Sequence, residues 1–164
     1  IYFQKKMTSE LYIRIKNLNE TKILAQKVSK CISIPFFICL SGDIGSGKTT
    51  FARFLINQFS KKKIKVLSPT FPIVQIYDLK KVNIWHYDLY RIEKKNEFFN
   101  LDFDTAISNC VIVEWPDIFL DYFPKDRIEI IFQDEKNNTR DVRIKLFGTS
   151  QKIKEKLWNK LDQR

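Results

Sequence analysis

One eight-residue stretch, Gly42-Asp43-Ile44-Gly45-Ser46-Gly47-Lys48-Thr49, restricts this chain more than any other. It fits G-x-x-x-x-G-K-[ST], the phosphate-binding P-loop. The apolar run Phe36-Phe37-Ile38-Cys39-Leu40 leads into it, and a helical pattern from Thr49 to Phe59 follows. Strand, loop and helix in that order are the context the motif needs. The glycines let the backbone curl so that consecutive N–H groups point at one phosphate, and the helix adds its positive N-terminal end. Asp43, Gly45, Ser46, Gly47, Lys48, Thr49 and Thr50 are therefore the candidate nucleotide-binding residues. Lys48 would reach the β- and γ-phosphates, and the Thr49 hydroxyl would sit on Mg²⁺.

Glycine usage sharpens the point. The chain has four glycines in 164 residues, where average usage predicts about eleven. Three of the four, Gly42, Gly45 and Gly47, lie in this loop. A chain so poor in glycine has kept it where the backbone must leave ordinary φ/ψ space or approach a ligand closely.

The length suits one domain, and a 44% hydrophobic composition can bury a real core. The net charge of +10 comes mainly from lysine, with only seven arginines. The positive charge is spread along the chain and not gathered in one block. It reads as a solvated surface, with an RNA-facing patch as the other possibility. Cys31, Cys39 and Cys110 form no C-x-x-C and no metal-type spacing, and all three sit in apolar surroundings. Buried free thiols of a cytoplasmic protein are the simplest account. No apolar run reaches the ~18 residues of a membrane span, so no membrane association is expected. Ile1-Tyr2-Phe3-Gln4 resembles the end of a tag-removal site, and Met7 is the only methionine. Residues 1–6 are expected to be an expression-tag remnant and 7–164 a single domain.

Along the chain, Leu11 to Ile15 alternates as a strand does, and Asn19 looks like the N-cap of a helix through Thr21, Leu24, Val28 and Cys31. After the P-loop helix, Ile64 to Leu67 is a short strand candidate. Phe71 to Leu79 and Val82 to Tyr90 are extended runs around Lys80-Lys81, which leaves room for a tight hairpin. Glu97 to Ile107 reads as one or two short helices, and Cys110 to Val113 as a fully apolar strand. Arg127 to Phe132 and Thr139 to Phe147 are a further pair joined by a polar turn at residues 135–138. Thr149 or Ser150 can cap a last helix. The pattern predicts a three-layer α/β P-loop domain, mostly parallel, with an antiparallel hairpin.

A P-loop needs an acid at the C-terminal end of a neighbouring strand. Glu114 follows the apolar strand 110–113, and Asp88 ends the mixed run Ile84-Trp85-His86-Tyr87. Either could hold Mg²⁺, directly or through water, and the other could orient the attacking water. Asp88, Glu114 and Lys48 are the catalytic candidates. Thr70, in an extended segment after Pro69, is a candidate switch threonine. Trp115 is either a rim aromatic that packs a partner or plain core. His86, the sole histidine, alternates with Tyr87 on a strand, which favours packing over catalysis.

Four blocks, in order, resemble the bacterial TsaE (YjeE) family. They are Gly42 through Arg53, Ser68-Pro69-Thr70-Phe71, His86-Tyr87-Asp88-Leu89-Tyr90-Arg91, and Val113-Glu114-Trp115-Pro116. Thr21 also falls where the family has a threonine in its first helix, which adds it to the ATP-binding set. The chain departs from the family pattern at Asn100-Leu101-Asp102, where a Leu-Gly pair is usual, and at Asp117, where a basic residue often stands. The resemblance implies a small ATPase needed for threonylcarbamoyladenosine at tRNA position 37. It implies ATP and Mg²⁺ as cofactors, a TsaB–TsaD-like heterodimer as partner, and tRNA reached through that complex. Lys48 and Thr49 would bind ATP·Mg²⁺, Glu114 would match the metal-linked acid and Asp88 the catalytic acid. Thr70 would match a switch threonine and Trp115 a functionally needed aromatic.

Two other readings compete. A P-loop kinase for a small metabolite needs an arginine-bearing lid, and the arginines here are scattered, with Arg140 and Arg143 the only close pair. A non-enzymatic RNA-binding module would need a signature that the sequence lacks.

Overall fold

The structure, a computed structural model, describes residues 10–134 and 139–162. The expected tag remnant at residues 1–6 and the polar turn at 135–138 lie outside the described residues. Seven strands make one sheet: β1 (Glu10–Ile15), β2 (Phe37–Ser41), β3 (Val74–Leu79), β4 (Val82–Asp88), β5 (Cys110–Glu114), β6 (Arg127–Asp134) and β7 (Arg140–Phe147). Their order is β1-β7-β6-β2-β5-β4-β3. The central strands β6, β2, β5 and β4 run parallel. Antiparallel pairings add β7 and β1 on one side and β3 on the other. The sheet is therefore mixed, with the expected β3–β4 hairpin turning at Lys80-Lys81 between paired Leu79 and Val82.

Alternation along the strands feeds two cores, as the period of two requires. Ile38 and Leu40 of β2 point to one side. There they pack with Leu24 and Val28 of α1 (Leu18–Ser29), Phe51 and Leu55 of α2 (Lys48–Gln58), and Leu157. Phe37 and Cys39 point to the other side. They pack with Phe98 of α3 (Lys95–Phe99), Phe103 of α4 (Phe103–Ala106) and Phe119 of a 3₁₀ turn at Asp117–Tyr122. The second core is largely aromatic, with Phe98 centred 4.7 Å from Phe103 and 4.8 Å from Phe119. The result is the three-layer α/β domain that the sequence pattern predicts. All three cysteines are buried free thiols. Among the described residues no helix is long and apolar enough to cross a membrane.

Three local expectations are corrected. Residues 64–67 form no strand. Asn57 of α2 accepts from Ile64 N at 2.9 Å and donates to Ile64 O at 3.3 Å, and Arg53 Nε donates to Val66 O at 3.0 Å. Helix side chains thus take the backbone groups that a ladder would have used. The stretch 97–107, by contrast, forms two short helices, one of the two expected arrangements, parted by Asp102 at φ 49°. Aspartate is among the few side chains that enter the left-handed region readily. The last helix, α5 (Lys154–Asp162), follows a 3₁₀ turn, and Ser150 Oγ bonds to Phe147 O and Arg127 O in place of capping it.

The α1 N-cap is Asn17, two residues earlier than the pattern suggests. Its Oδ1 accepts from Glu20 N at 2.9 Å, and Glu20 Oε2 accepts in return from Lys16 N at 2.7 Å. Asn19 is exposed. Asn17→Ala should lower stability by ~1 kcal/mol, the usual value of such a cap, whereas Asn19→Ala should fall well below that. Urea denaturation of the two variants checks this; equal losses would misplace the cap.

Candidate functional site

The C-terminal ends of β2, β5 and β4 meet at one edge of the sheet, where ligands of α/β folds bind. The loop 42–47 leaves β2 there. Gly42, Gly45 and Gly47 have φ of 138°, 80° and 108°. At Gly42 a side chain is excluded twice over, because a Cβ would also run into the backbone carbonyl of Phe132 on neighbouring β6. Gly47 caps α2 with no side-chain hydrogen bond. The first N–H groups of that helix are therefore not taken by a capping side chain, as suits an anion site.

Lys48 is folded back over this loop. Its Nζ donates to Gly42 O at 2.6 Å and Asp43 O at 2.8 Å, and lies 3.9 Å from the centroid of the Trp115 ring. Burial pushes the Lys48 ammonium below its ordinary range, and the charges of Glu114, Asp88, Asp43 and Asp117 oppose that push. Trp115 holds its ring there from a left-handed backbone, φ 59°. For a bulky residue such a conformation costs roughly 1–3 kcal/mol and persists only where the surroundings impose it.

The two acids are neighbours in the β4–β5 register, Asp88 opposite Glu114, and both are buried. Their partners separate them. Glu114 Oε2 accepts from Thr49 Oγ1 at 2.8 Å, and Oε1 bonds to His86 Nε2 at 2.8 Å. Asp88 Oδ2 accepts from Thr70 Oγ1 at 2.6 Å and Ser68 Oγ at 3.4 Å, while Oδ1 accepts from Tyr90 N at 3.0 Å. So Glu114 belongs to the P-loop threonine and Asp88 to the Thr70 segment. Among the described residues no cluster of three or more His, Cys, Asp or Glu could cage a metal. Mg²⁺ needs none, because it takes one or two protein groups together with phosphate and water. Thr49 and Glu114 fit that pattern.

Gly45, Gly47, Lys48, Thr49, Thr50, Thr70, Asp88, Glu114 and Trp115 line one cavity of about 320 Å³. Three sequence candidates are not among its walls. Asp43 is exposed and contributes its carbonyl; Ser46 is fully buried. Thr21 is buried in α1 with its hydroxyl 3.4 Å from Asn17 O. A larger groove of about 770 Å³, bounded by Tyr12, Leu24 and Trp158, holds none of these groups and no phosphate cradle. Size alone does not mark the site.

Several neighbours were not legible as site residues. Ser68 joins Thr70 at Asp88. The Tyr90 ring lies 4.9 Å from that of Trp115. Arg140, at the start of β7, reaches the P-loop with Nη2 3.4 Å from Gly45 O. His86 bonds to Glu114 across the β4–β5 pair, although its place on an alternating strand favours packing.

The chain is similar to known proteins of one family. Residues 15–142 match the family described as threonylcarbamoyl adenosine biosynthesis protein TsaE. A tRNA threonylcarbamoyladenosine biosynthesis protein TsaE of Rickettsia prowazekii is 35% identical over 127 residues, 77% of this chain and 88% of that protein. The protein of the same name from Bacillus subtilis is 29% identical over 139 residues, 85% of this chain and 87% of that one. The crystal structure of YdiB from that species superposes with a TM-score of 0.73 at 25% identity, covering 94% of this chain and 98% of the other.

The Thr70–Asp88 bond ties the loop to the sheet and should carry measurable energy. In a double-mutant cycle of Thr70→Val and Asp88→Ala, denaturant unfolding should give a coupling of ~1.5–3 kcal/mol, the range for a bond to a charged group. Additive losses would mean that the contact is energetically empty.

Proposed function

The chain belongs to the TsaE family of tRNA threonylcarbamoyladenosine biosynthesis, and from that premise we propose that it is a weak Mg·ATP-dependent P-loop ATPase. It works in the cytoplasm as a nucleotide-gated partner of a TsaB–TsaD-like heterodimer and meets tRNA through that complex. One observation carries the reading. The glycine cradle, Lys48, Thr49 and Glu114 converge at the sheet edge, and Asp88 beside them is bonded to the Thr70 segment.

Each residue then has a task. The loop N–H groups and the α2 N-terminus hold the phosphates. Lys48 exchanges two carbonyls and the Trp115 ring for β- and γ-phosphate oxygens. Thr49 and Glu114 hold Mg²⁺, which when bound offsets charge on those oxygens. Asp88 accepts a hydrogen bond from the attacking water and so orients it. Because Asp88 also holds Thr70, the state of the γ-phosphate is felt by the segment 67–73, where Leu67 and Phe71 are exposed. Trp115, released from Lys48, is free to repack. The surface these residues make differs between ATP and ADP states, which is the only way a nucleotide can bias a partner.

Two outcomes follow. Lys48→Ala should lose most ATP affinity, on the order of 2–5 kcal/mol for removing one partner of a desolvated charge pair, measured by calorimetry; wild-type affinity would refute the site. Association with the TsaB–TsaD-like pair should be about 5–150-fold tighter with ATP than with ADP or no nucleotide. Equal affinity in all three states would refute the gating.

A further inference from the structure

His86 lies wholly inside the protein, with no solvent exposure. Of its two ring nitrogens, Nε2 bonds to Glu114 Oε1 at 2.8 Å, and Nδ1 has no partner among the described residues. A buried polar atom without a partner costs about 1–3 kcal/mol. If His86 only filled space, an aliphatic side chain would fill it without that penalty. What the imidazole adds is the single bond to Glu114.

The sheet explains why this position can make it. Val82, Ile84, His86 and Asp88 alternate onto one face of β4, and Cys110, Ile112 and Glu114 onto the same face of β5. In register, His86 is opposite Ile112 and Asp88 opposite Glu114. His86 is thus the diagonal neighbour of Glu114, one pleat deeper, within reach of a long side chain. From there the ring occupies one carboxylate oxygen and leaves the other turned to Thr49 Oγ1, 2.8 Å away. With the carboxylate accepting, the proton of the bond resides on Nε2. A carboxylate pinned on one oxygen presents the other in a defined direction, as outer-shell partners do for metal ligands.

We infer that His86 is a positioning residue: it fixes the Glu114 carboxylate against the P-loop threonine and so sets the magnesium affinity of the site. The inference rests on the nucleotide site proposed above, and the test separates the two. ATP binding is measured by calorimetry on the full chain with magnesium in excess and again with EDTA. His86→Leu keeps a buried side chain of similar bulk and removes the donor. It should reduce the magnesium-dependent gain in ATP affinity by about 10–100-fold while leaving the EDTA affinity at the wild-type value. His86→Gln, whose amide nitrogen has a similar reach, should recover most of the gain. A histidine that merely packs would lower both arms together, or make the leucine and glutamine variants alike; either result overturns the inference. Because this is the sole histidine, its ring signals need no assignment in the unaltered protein. Nitrogen NMR should show the Nε2-protonated tautomer and a shift on adding Mg·ATP that ATP with EDTA does not produce. Identical ring signals in the two states overturn the inference even if no variant folds. No magnesium-dependent ATP binding by the unaltered protein overturns the nucleotide-site reading and this inference with it.

Discussion

Glu114 stands at the end of the most buried strand of the sheet with almost no access to water. A carboxylate in that position is tolerable only if its lone pairs are used. They are used by Thr49 from the helix after the P-loop and by His86 from the adjacent strand. Those two bonds join the start of α2, the end of β5 and the body of β4 around one group. This junction settles which acid faces Thr49 and which way its oxygens point.

The second acid is built for a different purpose. Asp88 has the same depth and the same strand register, yet its oxygens go to hydroxyls and an amide of the segments around it. One acid is bonded to the first turn of α2 and one to a segment outside the sheet. Backbone strain marks the border of each. Trp115, immediately after Glu114, and Ile73, whose carbonyl accepts from Asp88 N, both sit at positive φ. Conformations of this kind cluster at active sites, ligand clamps and switch regions. A tryptophan laid over the P-loop lysine, itself held by loop carbonyls, gives that cation partners which phosphate oxygens can replace.

The Asp102 backbone shows how packing imposes a local conformation. The joint between the two short helices is left-handed although no glycine stands there. Phe98, Phe103 and Phe119 pack around that joint, and Tyr87 donates to Leu101 O at 2.9 Å. Packing on that scale outweighs the penalty of one aspartate at φ 49°.

By itself, the sequence determined the glycine loop between β2 and α2, the three-layer α/β architecture, the β3–β4 hairpin and the placing of two acids at neighbouring strand ends. Those depend on local spacing: glycines where φ must be positive, apolar runs with a period of two or near 3.6, and acids at strand ends. It did not determine the partners of the acids, because Glu114 and Asp88 are equivalent until the sheet register and the helix start put Thr49 against one and Thr70 against the other. Nor could it reveal that residues 64–67 would bond to α2 side chains and form no strand, or that Arg140 would arrive at the P-loop from the far end of the chain. His86 is the clearest case. Its neighbours in sequence say packing, and only the pairing of β4 with β5 brings its ring to Glu114. Contacts between residues distant along the chain are decided by strand order and register, which local periodicity does not encode.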